Sequence, residues 1–514
     1  MALFRNFLTV GGYTALSRVL GLIRDMLLAP VLGTGAIADA FFVAFRLPNL
    51  FRRLFAEGAF NAAFVPLFAR HLEQGGEAAA KAFAEQALAV LLTTLLAFTA
   101  AFMAAVPWLM YVLAPGFAED PAKFDLAIQL SRITFPYLLF VSLVALFSGV
   151  LNSLYRFAAA AAAPVLLNIL FIAALAVVIP LSGQPGHVLA WTVALAGLAQ
   201  FLILAVAASR AGMALRLPRP RLTEGVKRFL KLMAPGMVSA GVLQFNLLVG
   251  TIIASLEAGA VSKLYYADRI YQLPLGLIGV ALGVVLLPEL SRSLRGGNPQ
   301  AAIASLNRGI ELSMLFTVPA TVALLVMPWP IVVVLYERGA FDRTASDVTA
   351  LAVAAFAFGL PAYVLVKVLQ PAFFAREDTV TPLKVAAISV GANVVLAIGL
   401  FWQIGLVGLA LATAIAACLN AGLLAILLHR RAYLAPDARL KARLPRIAIA
   451  SLLMGAALWA GQRPLAGWFD DGLWSGVAGL VVLVGGGLAS YGLLALLLGA
   501  VAPAELRALL SRRP

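Results

Sequence analysis

Apolar runs of membrane-spanning length recur along this chain from one end to the other. A span needs about 20 mostly apolar residues, and residues 474–500, for example, carry no charge at all. About 14 such segments can be drawn, given that span length: 9–32, 36–68, 83–113, 127–153, 158–181, 187–208, 229–256, 262–290, 304–336, 348–374, 380–402, 405–429, 445–462 and 474–500. The runs are unbroken rather than alternating, which excludes a transmembrane β-barrel. Only 12% of the 514 residues are charged, where a soluble protein has about 25%. The expected fold is therefore an all-α polytopic membrane protein. Pro48, Pro66, Pro136, Pro235, Pro274 and Pro361 are candidate kinks.

The net charge of +15 invites a nucleic-acid reading, but its distribution argues against one. Arg210, Arg216, Arg219, Arg221, Lys227, Arg228 and Lys231 cluster after the sixth span. Arg430, Arg431, Arg439, Lys441, Arg443 and Arg446 cluster around the link after the twelfth. The intervening loops are neutral or acidic, as at Glu119-Asp120 and Asp470-Asp471. The positive-inside rule then places both termini in the cytoplasm, and the basic loops become topology signals that also suit anionic lipid. Charges at Arg18, Arg24 and Asp25 interrupt any signal-peptide core. Cys418 stands alone, and His71, His187 and His429 are scattered, so neither a disulfide framework nor a metal or cofactor site is expected.

The stretch from Ser17 to Gly58 places charge where lipid-compatible residues otherwise dominate. It holds Arg18, Arg24, Asp25, Asp39, Arg46, Asn49, Arg52, Arg53 and Glu57. An Arg at the centre of a membrane helix costs roughly 2.5–3.5 kcal/mol on insertion scales, so these groups must face a wet cavity or a partner. At about 100° per residue, Arg18 and Asp25 share a face, with Arg24 about 120° from Arg18. One reading pairs Arg18 with Asp25, and Arg24 with another acid, as structural glue. However, the arginines outnumber the acids. A cationic surplus in a cavity suits an anion, and the guanidinium fork suits phosphate.

An internal repeat of about 220 residues fits a transporter built from two parallel copies. Leu151-Asn152-Ser153-Leu154-Tyr155 aligns with Leu369-Gln370-Pro371-Ala372-Phe373, and Val65 to Arg70 echoes Leu287 to Arg292. The expected organisation is an N-lobe at 1–210, a C-lobe at 222–430 and an added helix pair at 445–500. In the second copy, Ser262 to Pro274 contains Ser262, Asp268 and Arg269. Arg269 is expected to reach the same cavity as Arg52 from the opposite side. The competing reading is a local Asp268–Arg269 arrangement.

Three motifs resemble those of the MurJ (MviN) lipid II flippases, within the multidrug/oligosaccharidyl-lipid/polysaccharide exporter superfamily. They are Ser17-Arg18-Val19-Leu20-Gly21-Leu22-Ile23-Arg24-Asp25, the run Arg46 to Phe60 with Phe64-Val65-Pro66, and Tyr265-Tyr266-Ala267-Asp268-Arg269. The resemblance implies a two-lobed fold that moves lipid-linked peptidoglycan precursor from the cytoplasmic to the periplasmic leaflet of the inner membrane. By motif match it assigns substrate contact to Arg18, Arg24, Asp25, Asp39, Arg52 and Arg269; Ser17, Asn49, Arg53, Glu57 and Ser262 are the expected supporting residues. It also implies a groove for the undecaprenyl tail in residues 445–500, with cell-wall synthesis proteins as candidate partners. Some family members bind sodium through carboxylates in spans seven and eleven. Here 232–256 and 385–402 lack Asp and Glu, leaving Asn246 and Asn393, a poor donor set for a hard cation. The rival readings are another lipid-oligosaccharide or drug exporter, and a membrane enzyme. An enzyme needs positioned carboxylates or a nucleophilic His, which the scattered histidines and the arginine surplus disfavour.

Overall fold

The computed structural model of the chain describes residues 2–55 and 59–502. Among these the only strand-like pairing is an isolated bridge between Arg338 and Phe341; everything else is helix, turn or loop. The chain forms two compact units, 1–262 with 338–341, and 263–337 with 342–514.

The first unit contains α1 (Ala2–Leu32), α2 (Ala36–Phe55), α3 (Ala59–Leu113), α4 (Pro121–Thr134), α5 (Tyr137–Ser153), α6 (Ala158–Ala173), α7 (Ile179–Ser182), α8 (Pro185–Arg210) and α9 (Glu224–Ala254). The expected span at 36–68 is divided between α2 and the first arm of α3. Gly76, with φ 70°, bends α3 between its two arms; a side chain there would be strained. The span expected at 127–153 is likewise two helices, α4 and α5, which part at Phe135-Pro136. Asp120 starts α4 by accepting from the N–H groups of Ala122 and Lys123, with Pro121 at the first helical position. A π-turn at Ala174–Val178 links α6 to α7. Stacked phenylalanines form the unit's core: Phe64 lies 5.4 Å from Phe60 and 5.5 Å from Phe83, and meets Phe229 edge-on at 6.0 Å. Gly149 lets α5 approach, since a Cβ there would stand 2.8 Å from Phe64.

α10 (Ala260–Pro274) begins in the first unit and continues in the second. The second unit then holds α11 (Val280–Arg295), α12 (Pro299–Val326), α13 (Pro328–Tyr336), α14 (Arg343–Phe358), α15 (Leu360–Phe374), α16 (Val380–Ile404), α17 (Leu406–Arg430), α18 (Ala438–Gln462) and α19 (Leu473–Leu497). A π-turn at Leu275–Gly279 directly follows Pro274. α14 and α15 part at Gly359 beside Pro361, so this span is divided near a proline, as α4 and α5 are. Pro48, Pro66 and Pro235 lie inside continuous helices instead. α18 packs on α12, and α19 on α18, through Met327, Met454, Leu458, Phe469 and Leu483. Gly487 lies against Leu458, whereas Gly485 and Gly486 face open space.

Ten helical stretches among the described residues are long and apolar enough to cross a membrane. Of the other four expected spans, those of α1, α2 and α10 carry the charges picked out above, and α9 contributes the apolar stretch Gln244–Ala254.

Candidate functional site

Arg24 and Asp25 lie deep in α1, only 8% and 4% exposed. The guanidinium Nε and Nη2 donate to Asp25 Oδ1 at 3.0 and 2.8 Å, and Nη1 donates to Asn168 Oδ1 at 3.0 Å. The helical wheel put Asp25 on the face of Arg18, but the long side chain of Arg24 bends back to reach its chain neighbour. Asn168 of α6 also donates through Nδ2 to the Ser17 carbonyl at 2.9 Å and to Ser17 Oγ at 3.3 Å. One amide thus joins Ser17 and Arg24, two turns apart on α1, with Gly21 beside it between them. The ring of Phe171, one turn further along α6, lies 5.5 Å from the guanidinium carbon. Arg18 is exposed on α1.

On α2, Asp39 is completely buried. Its Oδ2 accepts from Lys123 Nζ at 2.7 Å and from the Gly259 N–H at 2.9 Å. Its Oδ1 accepts from the Ser262 N–H at 3.0 Å and from Ser262 Oγ at 2.8 Å. The carboxylate therefore caps the first turn of α10, where the helix dipole favours negative charge. Lys123 also stands 4.0 Å over the Phe117 ring. Glycines let backbones meet at this same end of the unit. A Cβ on Gly116 would stand 2.1 Å from the Ser255 carbonyl, and one on Gly33 would stand 2.2 Å from that of Ala340. The Ala340 N–H donates to the Pro30 carbonyl at 2.8 Å.

Further along α2, Arg46 donates to Thr251 Oγ1 at 2.5 Å. Asn49 donates to the Phe45 carbonyl of its own helix. Arg52 is half-buried and Arg53 exposed, both in the last turn, where the helix dipole favours cations. Glu57 lies outside the described residues. In the second unit Arg269 is half-buried on α10, with its guanidinium 4.6 Å from the Tyr265 ring.

The structure thus brings Arg24, Asp25 and Ser17 together around Asn168, and Asp39 and Ser262 together with Lys123. Lys123, Asn168 and Thr251 are partners that sequence reasoning missed. Among the described residues, no group of three or more His, Cys, Asp or Glu side chains gathers as a metal would require.

The family model for "Lipid II flippase MurJ" matches residues 28–470. The probable lipid II flippase MurJ of Rhizobium tropici is 46% identical over 100% of this chain and 97% of its own length. The corresponding protein of Rhizobium meliloti (strain 1021) is 50% identical over 89% of this chain and 86% of its own. A solved lipid II flippase MurJ in an inward closed conformation superposes with a TM-score of 0.76 at 25% identity, over 95% of this chain and 98% of the other. An inward-facing multidrug transporter of the MATE family superposes with a TM-score of 0.70 at 16% identity, over 80% and 94% of the two chains. That second likeness is one of fold alone.

Proposed function

Because this chain belongs to the MurJ family of lipid II flippases, we propose that the arginines of α1, α2 and α10 receive the anionic head of lipid II and carry it between leaflets of the inner membrane. The observation that carries the residue assignment is the charge balance of α1 and α2. Within residues 9–55 the sequence sets five arginines, Arg18, Arg24, Arg46, Arg52 and Arg53, beside two acids, Asp25 and Asp39. Asp39 is already occupied by Lys123 and the start of α10. The surplus is cationic, and arginine suits it to a pyrophosphate through bidentate hydrogen bonds.

The mechanism follows from these groups. A pyrophosphate cannot cross hydrocarbon with its hydration shell stripped and nothing in its place. Arginine N–H donors in a central cationic cavity replace that shell while the apolar tail stays in lipid. Arg24 is held ready by Asp25 and Asn168, Arg18 stands exposed on the same helix, and Arg52 and Arg269 complete the set. Asp25 competes with the phosphate for Arg24, which keeps binding reversible. Asp39 ties α2 to α4 and to the start of α10 within the first unit, and release of these contacts is the proposed step of alternating access. The six-helix lobes at 1–210 and 222–430, the tail groove at 445–500, cytoplasmic termini and contact with cell-wall synthesis proteins belong to the same proposal.

Complementation of a flippase-depleted strain tests the assignment. Arg52→Ala, Arg269→Ala and the double variant Arg24→Ala with Asp25→Asn are each expected to abolish rescue while membrane abundance holds. Full rescue by any one removes that residue from the path.

A further inference from the structure

A cavity of 210 Å³ opens in the second unit among α12, α15, α17 and α18, away from the residues proposed to carry the substrate. Ile310, Leu365, Leu369, Leu440 and Leu444 are among its lining residues, which are all apolar except Lys441. Leu434 and Pro436, from the basic link between α17 and α18, close one side. The charge of that link puts the cavity at the level of the cytoplasmic leaflet.

The cations around the cavity are not equivalent. Glu311 of α12, 4% exposed, is clamped by Arg308, Arg439 and Arg443. Arg308 also pairs with Asp437, and Arg431 with Asp378 at 2.6 Å. Lys441 is exposed, and no ion pair holds it among the described residues. The pattern follows from helix geometry. Arg439 and Arg443 are four residues apart and turn one face of α18 to Glu311. Leu440 and Leu444 are also four apart and turn the adjacent face to the cavity. The buried clamp therefore fixes the wall that the leucines form, and leaves one cation over an apolar recess.

We infer that this cavity binds an anionic phospholipid of the cytoplasmic leaflet, with an acyl chain against Leu369, Leu440 and Leu444 and its phosphate on Lys441. An apolar recess under a single cation matches an acyl chain ending in a negative headgroup. The quaternary ammonium of a zwitterionic lipid would instead meet the surrounding arginines. A bulk phospholipid also outnumbers any carrier lipid in the membrane. The bound lipid would fill the seam between α12, α15 and α18.

The test is native mass spectrometry of the purified full chain with phosphatidylglycerol or phosphatidylcholine of identical acyl chains. The wild type is expected to retain phosphatidylglycerol preferentially. Lys441→Gln is expected to lower that retention roughly five-fold, the factor one lysine is worth near an anionic surface, and to leave phosphatidylcholine unchanged. Ala425→Phe, which fills the recess, is expected to lower phosphatidylglycerol retention as well. Lys231→Gln, at an exposed site in the first unit, is expected to change nothing. Equal retention of both lipids, an unaltered preference in Lys441→Gln, unaltered phosphatidylglycerol retention in Ala425→Phe, or an equal loss in Lys231→Gln overturns the proposal. Displacement of the bound lipid by undecaprenyl phosphate at equimolar ratio also overturns it, because the site would then belong to the carrier.

Discussion

Lys123 reaches across 84 residues of sequence to donate to Asp39 at 2.7 Å, and both side chains are buried. The pair does more than join α4 to α2. The same carboxylate collects two N–H groups and a hydroxyl from the start of α10. A buried charge this well supplied is stable only while its partners stay. Losing one partner of such a pair costs about 3–5 kcal/mol, because the other is left buried and uncompensated.

Asp39→Asn should therefore lower the melting temperature in detergent micelles, since it keeps the shape but strands Lys123. Asp39→Asn combined with Lys123→Met should recover part of the loss, because no uncompensated cation remains. An unchanged melting temperature in the single variant would show that the latch adds nothing to stability.

Arg24 has a structural partner as well as a proposed ligand, and a double variant separates the two. Arg24→Ala leaves Asp25 buried without its guanidinium. If Arg24 holds pyrophosphate, Arg24→Ala with Asp25→Asn should fold and insert but still fail to complement. Arg24→Lys keeps the charge, loses the fork and should retain partial activity at most. Complementation restored by the double variant would reduce Arg24 to a packing role.

Asp378 gives a pH dependence outside the spans. Its carboxyl is held down to about 2 by the Thr381 hydroxyl and N–H, and then by the Arg431 guanidinium. The folded pKa lies below the ordinary carboxylate value of about 3.9, so the stabilisation is present above that value and fades as pH falls towards 2. Asp378→Asn should melt below the wild type at pH 7, and the gap should close between about pH 4 and pH 2. The same gap at both ends of that range would refute the assignment.

The residues at 232–256 and 385–402 include no Asp or Glu. Substituting potassium for sodium should leave the transport rate unchanged in proteoliposomes. A steep sodium requirement that disappears in Asn246→Ala would contradict this.

The all-helical, many-span fold was legible because lipid forces long apolar runs into helices, and the arginines stood out against those runs. Partner choice was not legible. Lys123 reads as an ordinary surface lysine in the first turn of α4, and only the fold brings it to Asp39. Asn168 is a single amide in an apolar helix, with no spacing that ties it to Ser17 and Arg24. The shared face of Arg18 and Asp25 did not reveal that Arg24, the chain neighbour of Asp25, is long enough to reach its carboxylate. Prolines were uneven guides: Pro136 and Pro361 mark real breaks, but Pro48 and Pro66 sit within continuous helices. Neighbouring helices can re-satisfy the backbone groups that a proline frees.

Leaflet accessibility of labelled lipid II in proteoliposomes tests the central claim most directly. The purified wild type should move labelled lipid II between leaflets while leaving labelled phosphatidylcholine in place, and Arg24→Ala, Arg52→Ala and Arg269→Ala should each stop the movement. Movement of lipid II at the wild-type rate by these variants, or none by the wild type, would contradict the account.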